Sequence, residues 1–448
     1  MALKIKNYIR DNWFACISGL ILLGAFFVVC LISFWSEYGV HPDEWDVRLC
    51  MDWCMDHFIW PDMRLKGEGL GDTYSGYGYT KVCNYTPYFL IFSKISYVFK
   101  QFMDVLPYYR MPNLLLMLVI MVYMFKNIRT KNYLMLAFGI CVQAWYIFSY
   151  VTADAEDFLL GFFAIALLTD EDGFLWKIIE PDNKRNIPGC VGLGLLYGIL
   201  MLGKPYYYAT LVLTFIVLVS HLIKSEINKH KEILIRYFII AGVAFAVFAG
   251  RAAIDLHYYG FDKADAKLQM EAEYADYDKN PTTPAEDIEP GWRMQSRGHN
   301  LSYLFEEVEP HWFWKTYVSF ACARVFNEGN VLYFVVMGIL YIFILARIGI
   351  SLYREKNFGV FWLGMGMSVL GILASVLFSW LRDVQPQGRY LLPILFNVCY
   401  MGSRAKSLWD DKVFKGVVLA AGCLSVAYFG LVDARKLIDL SYVRSILG

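Results

Sequence analysis

The sequence predicts an all-α polytopic membrane protein, and three observations predict it. Of 448 residues, 58% are hydrophobic and 18% charged, against roughly 45–50% and 25% in a soluble domain. That surplus does not fit in one core, because single cores stop growing near about 250–300 residues. The apolar residues fall in long runs, and a spanning helix needs about 20 of them. Lys and Arg then gather on one side of those runs, as the inside rule requires. The 41 basic and 41 acidic residues balance, which excludes a basic nucleic-acid binder. The apolar excess excludes a disordered chain.

About eleven spans are expected, at 13–36, 112–127, 132–151, 157–170, 189–203, 206–223, 233–252, 331–353, 358–380, 389–403 and 414–432. The first is too long for a cleavable signal peptide and lacks a small-residue cleavage site. With these spans, one side receives Lys4, Lys6 and Arg10, then Lys126/Arg129/Lys131, Lys177/Lys184/Arg185 and Lys224/Lys229/Lys231/Arg236. The same side receives Arg347/Arg354/Lys356 and Arg404/Lys406/Lys412/Lys415. That side, with the N-terminus, is expected to be cytoplasmic. Residues 86–104 are apolar too, but reading them as a span would send Lys126–Lys131 outward. They are expected to form an interfacial helix on the outer face.

Three regions follow. Residues 1–252 form a first transmembrane module that includes an outer loop at 37–111. Residues 253–330 form an acidic outer loop, with fourteen acids against seven bases from Asp255 to Glu328. Its Pro-rich stretch 276–291 is expected to be mobile. Residues 331–448 supply the last spans. Asn300-Leu301-Ser302 is an outward glycosylation sequon.

Charge at membrane depth is costly and marks function. His41-Pro42-Asp43-Glu44 follows the first span directly. The acid pair is either a helix start or a general base with its neighbour. In residues 45–60, Arg48, Asp52 and Asp56 recur every four residues, an interfacial helix that would hold the pair at the lipid surface. Asp154-Ala155-Glu156-Asp157 packs three acids into one outer turn. Lys204, in Gly203-Lys204-Pro205, faces outward against the inside rule, which implies an anionic partner unless it snorkels. Arg389 opens an outer helix, where macrodipole and inside rule both oppose it; a phosphate contact or a pair with Asp383 or Asp154 would explain it. Cys50, Cys54 and His57 have ligand-like spacing but no fourth ligand nearby, so packing is expected. Cys83 is close enough in sequence to be considered as a disulfide partner for either cysteine.

In this order, the acid pair after the first span, the second acidic turn, Gly-Lys-Pro and Gln387-Gly-Arg-Tyr-Leu-Leu-Pro393 resemble the GT-C superfamily of polytopic glycosyltransferases. That group includes protein O-mannosyltransferases, the bacterial aminoarabinose transferase, oligosaccharyltransferase catalytic subunits and GPI mannosyltransferases. The resemblance implies a GT-C-like bundle with outer-face interfacial helices. It also implies transfer of a sugar from a polyprenyl-phosphate donor to a glycan, lipid or protein acceptor, among membrane lipids. Asp43 would be the general base and Glu44 would orient it or the acceptor. Lys204 and Arg389 would bind the donor phosphate. Asp154, Glu156, Asp157 and His41 would hold the acceptor, orient Arg389 or ligate a divalent cation, Mg or Mn. The expected setting is a bacterial inner membrane, or the endoplasmic reticulum in a eukaryote. Two other readings stay open: a polysaccharide polymerase using Arg293 and Arg297, and a lipid-linked-sugar flippase or other transporter.

Overall fold

The computed structural model describes residues 10–37, 39–65, 67, 69–103, 106–181, 184–323 and 330–438. Lys4 and Lys6 of the first basic cluster, and the Glu328 end of the acidic segment, lie outside them. The described chain is helical, with three isolated bridges in place of any strand. Its helices are α1 (Trp13–Trp35), α2 (Glu44–Asp56), α3 (Tyr88–Lys100), α4 (Met111–Asn127), α5 (Leu134–Phe138) and α6 (Val142–Tyr146). Then come α7 (Asp154–Thr169), α8 (Phe174–Ile179), α9 (Ile187–Leu202), α10 (Tyr208–Lys224), α11 (Ile227–Tyr259) and α12 (Lys263–Tyr274). The last are α13 (Trp312–Ala321), α14 (Val331–Arg354), α15 (Phe358–Leu381), α16 (Pro393–Arg404) and α17 (Lys412–Tyr428).

Among the described residues, six helical stretches are long and apolar enough to cross a membrane: Trp13–Trp35, Pro205–Lys224, Ile227–Tyr259, Val331–Arg354, Phe358–Leu381 and Lys412–Leu437. The chain is a helical membrane protein, with fewer long spanning helices than the eleven expected. The other five candidates are shorter. Segments 112–127 and 189–203 form apolar helices α4 and α9, and 157–170 and 389–403 become α7 and α16.

The fifth, 132–151, departs most from expectation. It breaks at Gly139–Cys141 into α5 and α6 and is buried from Leu134 to Val151. A broken helix survives at membrane depth only where protein satisfies its freed backbone groups. Here side chains do so. Tyr341 Oη (2.8 Å) and Ser425 Oγ (3.0 Å) donate to the Ile140 carbonyl, and Trp145 Nε1 (2.6 Å) donates to that of Phe138.

Segment 37–111 folds as a cap over one end of the bundle. α2 presents Val47, Cys50, Met51 and Cys54 to Phe89 and Leu90 of α3, closing a small core of its own. Arg48 and Asp52 pair on its outer side at 3.5 Å. Cys50 faces the Thr73 carbonyl, and His57 stacks on Trp53 with centroids 4.2 Å apart. Cys50, Cys54 and Cys83 are all free, so the possible bridge is not formed.

The acidic segment is more ordered than its composition suggests. α11 runs on to Tyr259, and residues 276–291 fold into a turn. Glu289 N–H donates to Asp278 O (2.8 Å) and Trp292 Nε1 to Lys279 O (3.1 Å). Arg293 N–H then donates to Arg382 O at 2.8 Å, which ties this segment to the chain after α15. Trp292 and Trp312 are buried, the latter donating to Ser379.

At the far end the basic clusters meet. Lys131 pairs with Asp170, Arg404 and Lys406 with Glu171, and Arg347 with Asp411. Arg236 donates to the Ile178 and Glu180 carbonyls. The sequence clusters thus occupy one end and the cap the other.

Candidate active site

Under the cap lies a cavity of about 540 Å³, and Asp43, Lys204 and Arg389 all line it. Its other walls come from the cap (Tyr79, Lys81, Thr86), the start of α10 and the last turns of α15. Phe378 and Tyr208 line it and are also exposed on the outside of the bundle, so the cavity borders the lipid-facing surface.

Each lining group is placed by a local constraint. Pro42 stops the chain from entering α2 early, and Asp43 turns with φ 57° at the N-cap position. A left-handed φ is uncommon outside glycine, though Asp tolerates it better than most. Its carboxylate makes no capping bond. It pairs instead with Arg389 Nη2 (3.0 Å) and Lys81 Nζ (3.6 Å). HPDE therefore starts a helix through its backbone, while the Asp43 carboxylate turns away from the helix end to the two cations.

Gly203 permits the next contact. A Cβ there would sit 2.0 Å from Asp157 Oδ1, while the following Lys204 N–H donates to Asp157 Oδ2 at 3.0 Å. Gly388 does the same for Arg389, because a Cβ there would meet Phe320 N at 2.1 Å. Arg389 is buried, and its Nε has no hydrogen-bond partner.

Behind the two cations sits Asp154, fully buried. It holds Lys204 Nζ at 2.5 Å and Arg389 Nη1 at 3.6 Å and accepts from Tyr206. It does not line the cavity, so it is a positioning residue. Arg389 pairs with Asp43 and Asp154 rather than with Asp383, which accepts from Tyr77 and Gln385. Arg389, Lys204 and Lys81 against Asp43 and Asp154 leave one positive charge in excess.

Four residues singled out in the sequence point elsewhere. Glu44 is fully buried and takes a bidentate bond from Arg110, Nε to Oε1 and Nη2 to Oε2, both 2.8 Å. Arg110 also donates to the carbonyls of Ser33 and Ser36 at the end of α1. Glu44 therefore anchors the cap and does not reach the cavity. His41 bridges Ser36 (2.7 Å) and Tyr146 (2.9 Å) and stacks on Tyr150. Glu156 accepts from Thr86 at 2.8 Å, and Asp157 turns to the Lys204 backbone. Asp154, Glu156 and Asp157 thus diverge, and no three His, Cys, Asp or Glu converge as metal ligands among the described residues. These donors do not fit a divalent cation.

Lys81 is a cavity-lining cation, paired with Asp43, that sequence reading did not single out. It lies in the cap loop, where no hydropathy pattern marks it.

Burial in the cavity wall would push the Asp43 carboxyl up, but Lys81, Arg389 and Lys204 outweigh it and hold it well below the usual carboxylate range. A depressed carboxyl contributes stability above its unfolded pKa and loses it as pH falls through the folded value. The melting difference between wild type and Asp43→Asn should therefore be constant at neutral pH and shrink below about pH 4. A difference that stays constant down to about pH 3 would contradict this pairing.

Compared with known proteins, the chain matches no family model, no curated protein and no solved structure.

Proposed function

We propose that the chain is a membrane glycosyltransferase of GT-C type that takes a sugar from a polyprenyl-phosphate donor. The observation that carries this reading is Asp43 facing Arg389 and Lys204 across one cavity beside the lipid-facing surface. A carboxylate opposite paired cations is what transfer from a lipid phosphate requires. The acceptor hydroxyl loses its proton to Asp43 as its oxygen bonds the anomeric carbon. The bond from that carbon to the phosphate oxygen breaks, and the electron pair leaves with the phosphate. Arg389 and Lys204, held by Asp154, stabilise the charge that develops there. A single displacement of this kind inverts the anomeric centre. The cavity end is then the outer, periplasmic or lumenal face, because the basic clusters lie at the other end. A glycan, lipid or protein acceptor would enter under the cap.

The polymerase reading is weaker. Arg293 pairs with Glu271, and Arg297 donates to the carbonyls of Glu289 and Trp292, so both are engaged in holding the loop.

Asp43 in the empty site is a weak base because Arg389 and Lys81 hold it. A donor phosphate that draws Arg389 away raises its proton affinity. The acid limb of kcat, which reports the bound complex, should accordingly lie at higher pH than that of kcat/KM, which reports the free enzyme. Coincident limbs would contradict such a release.

The direct test is binding of a polyprenyl phosphate to the protein in nanodiscs. Wild type should bind it, and Arg389→Ala and Lys204→Ala should each weaken binding by about tenfold or more, the loss expected for a charge-assisted bond. Binding indifferent to both residues would refute the assignment. Carrier binding followed by movement across the bilayer, with no transfer to any acceptor, would favour the transporter.

A further inference from the structure

A second cavity, of about 660 Å³, lies at the opposite end of the same helices. Tyr208 at the start of α10 lines the first cavity, and Lys224 at its end lines the second. α15 runs the other way, from Val360 and Leu363 at the second cavity to Phe378 at the first. α16 likewise carries Arg389 and Tyr390 just before its start and Arg404 at its end. Along α10, Tyr208 of the first cavity and Ile216, the nearest lining residue of the second, are about 12 Å apart, and no residue lines both cavities. The second is therefore a separate site.

Its chemistry is mixed. Lys224, Lys356 and Arg404 supply three cations, and Ile216, Val217 and Leu363 an apolar wall. Of the two acids present, Glu171 pairs with Arg404 and Lys406, and Glu180 is hydrogen-bonded to the His221 ring at 3.1 Å. Neither Lys224 nor Lys356 has an ion-pair partner among the described residues. Ile223 and Trp362, on the lining helices α10 and α15, and Tyr353, three residues before Lys356, are more than 60% exposed. Exposed Tyr and Trp beside Lys are the composition of a headgroup layer.

Lys356 adds an independent sign. α14 ends in a Schellman motif, with Asn357 N–H donating to Leu352 O (2.8 Å) and Lys356 N–H to Tyr353 O (3.1 Å). The residue between takes φ 56°, the position where glycine is the usual choice. Lysine stands there instead, so its charge is held at this rim against the local backbone preference.

We infer that this second cavity binds the phosphate headgroup of an anionic membrane lipid, with Lys224 and Lys356 on the phosphate and the acyl chains along the α10 and α15 wall. This is a resident lipid site, independent of the carrier site under the cap.

The experiment uses delipidated full-length protein carrying Arg389→Ala, which silences the first cavity. Phosphatidylglycerol or phosphatidylcholine of matched chains is titrated in, and retained lipid is counted by native mass spectrometry. Lys356→Gly is the key variant, because glycine suits the left-handed position and the helix stop survives. Its melting temperature should not fall. Phosphatidylglycerol affinity should drop about fivefold in Lys356→Gly and about thirtyfold when Lys224→Gln is added, each lysine near an anionic headgroup being worth about 1 kcal/mol. Phosphatidylcholine should be retained far less than phosphatidylglycerol by the parent protein. Three outcomes would overturn the inference: equal retention of the two lipids, unchanged phosphatidylglycerol affinity in both variants, or full displacement by millimolar inorganic phosphate. The last would assign the site to a soluble anion.

Discussion

Asp43→Asn is expected to lower kcat by about 10²–10⁴-fold, the range that general-base help supplies, while carrier-phosphate binding stays the same or tightens. The second half of that expectation comes from the geometry. Asp43 is an anion 3.0 Å from Arg389, the cation a donor phosphate would use, so carboxylate and phosphate compete for one guanidinium. Asparagine fills the same space without the charge. It removes the proton acceptor and the competitor together. Single-turnover transfer measured beside equilibrium binding of polyprenyl phosphate separates the two effects. Full turnover in the variant would remove Asp43 from the chemistry. Loss of binding in step with turnover would mean that Asp43 organises the cations rather than taking a proton.

Arg110→Met should be the most destabilising single change in the cap, by about 3–5 kcal/mol, because it strands the Glu44 carboxylate in a buried site. The pair buries both charges almost completely, with side-chain exposures of 2% and 0%. Adding Glu44→Gln to Arg110→Met should recover part of the loss, since an unpaired amide costs less to bury than a bare charge. Thermal unfolding in a fixed detergent gives the comparison. Glu44→Gln alone should lower stability yet leave the carrier affinity of the folded fraction unchanged. A single variant no weaker than a surface ion-pair mutant would show that the cap is held by its apolar contacts alone.

Much of the site was legible because its residues break rules at helix ends. Lys204 and Arg389 stand out as cations where the inside rule disfavours them, and Asp43 as a carboxylate just past a span. Each anomaly has a partner, and the partners prove to be one another. Lys81 was not legible, since a lysine in a polar loop breaks no rule. Glu44 was misread because its partner, Arg110, lies 66 residues on and is invisible to local spacing. Hydropathy located the six long apolar helices α1, α10, α11, α14, α15 and α17, and the shorter α4 and α9 as well. It failed at 132–151 for a physical reason. Apolarity records which side chains avoid water, but whether a helix may break depends on donors elsewhere in the chain.

That break also bears on how the chain is made. The Ile140 carbonyl waits for Tyr341 and Ser425, which follow it by 201 and 285 residues. As the ribosome delivers the first half, the Trp145 bond to Phe138 can form within the segment, but the Ile140 carbonyl lacks both of its side-chain donors. The nascent segment must stay unbroken, or be shielded by an insertion factor, until α14 and α17 emerge. The mature bonding at Ile140 can therefore be completed only once α14 and α17 have been made.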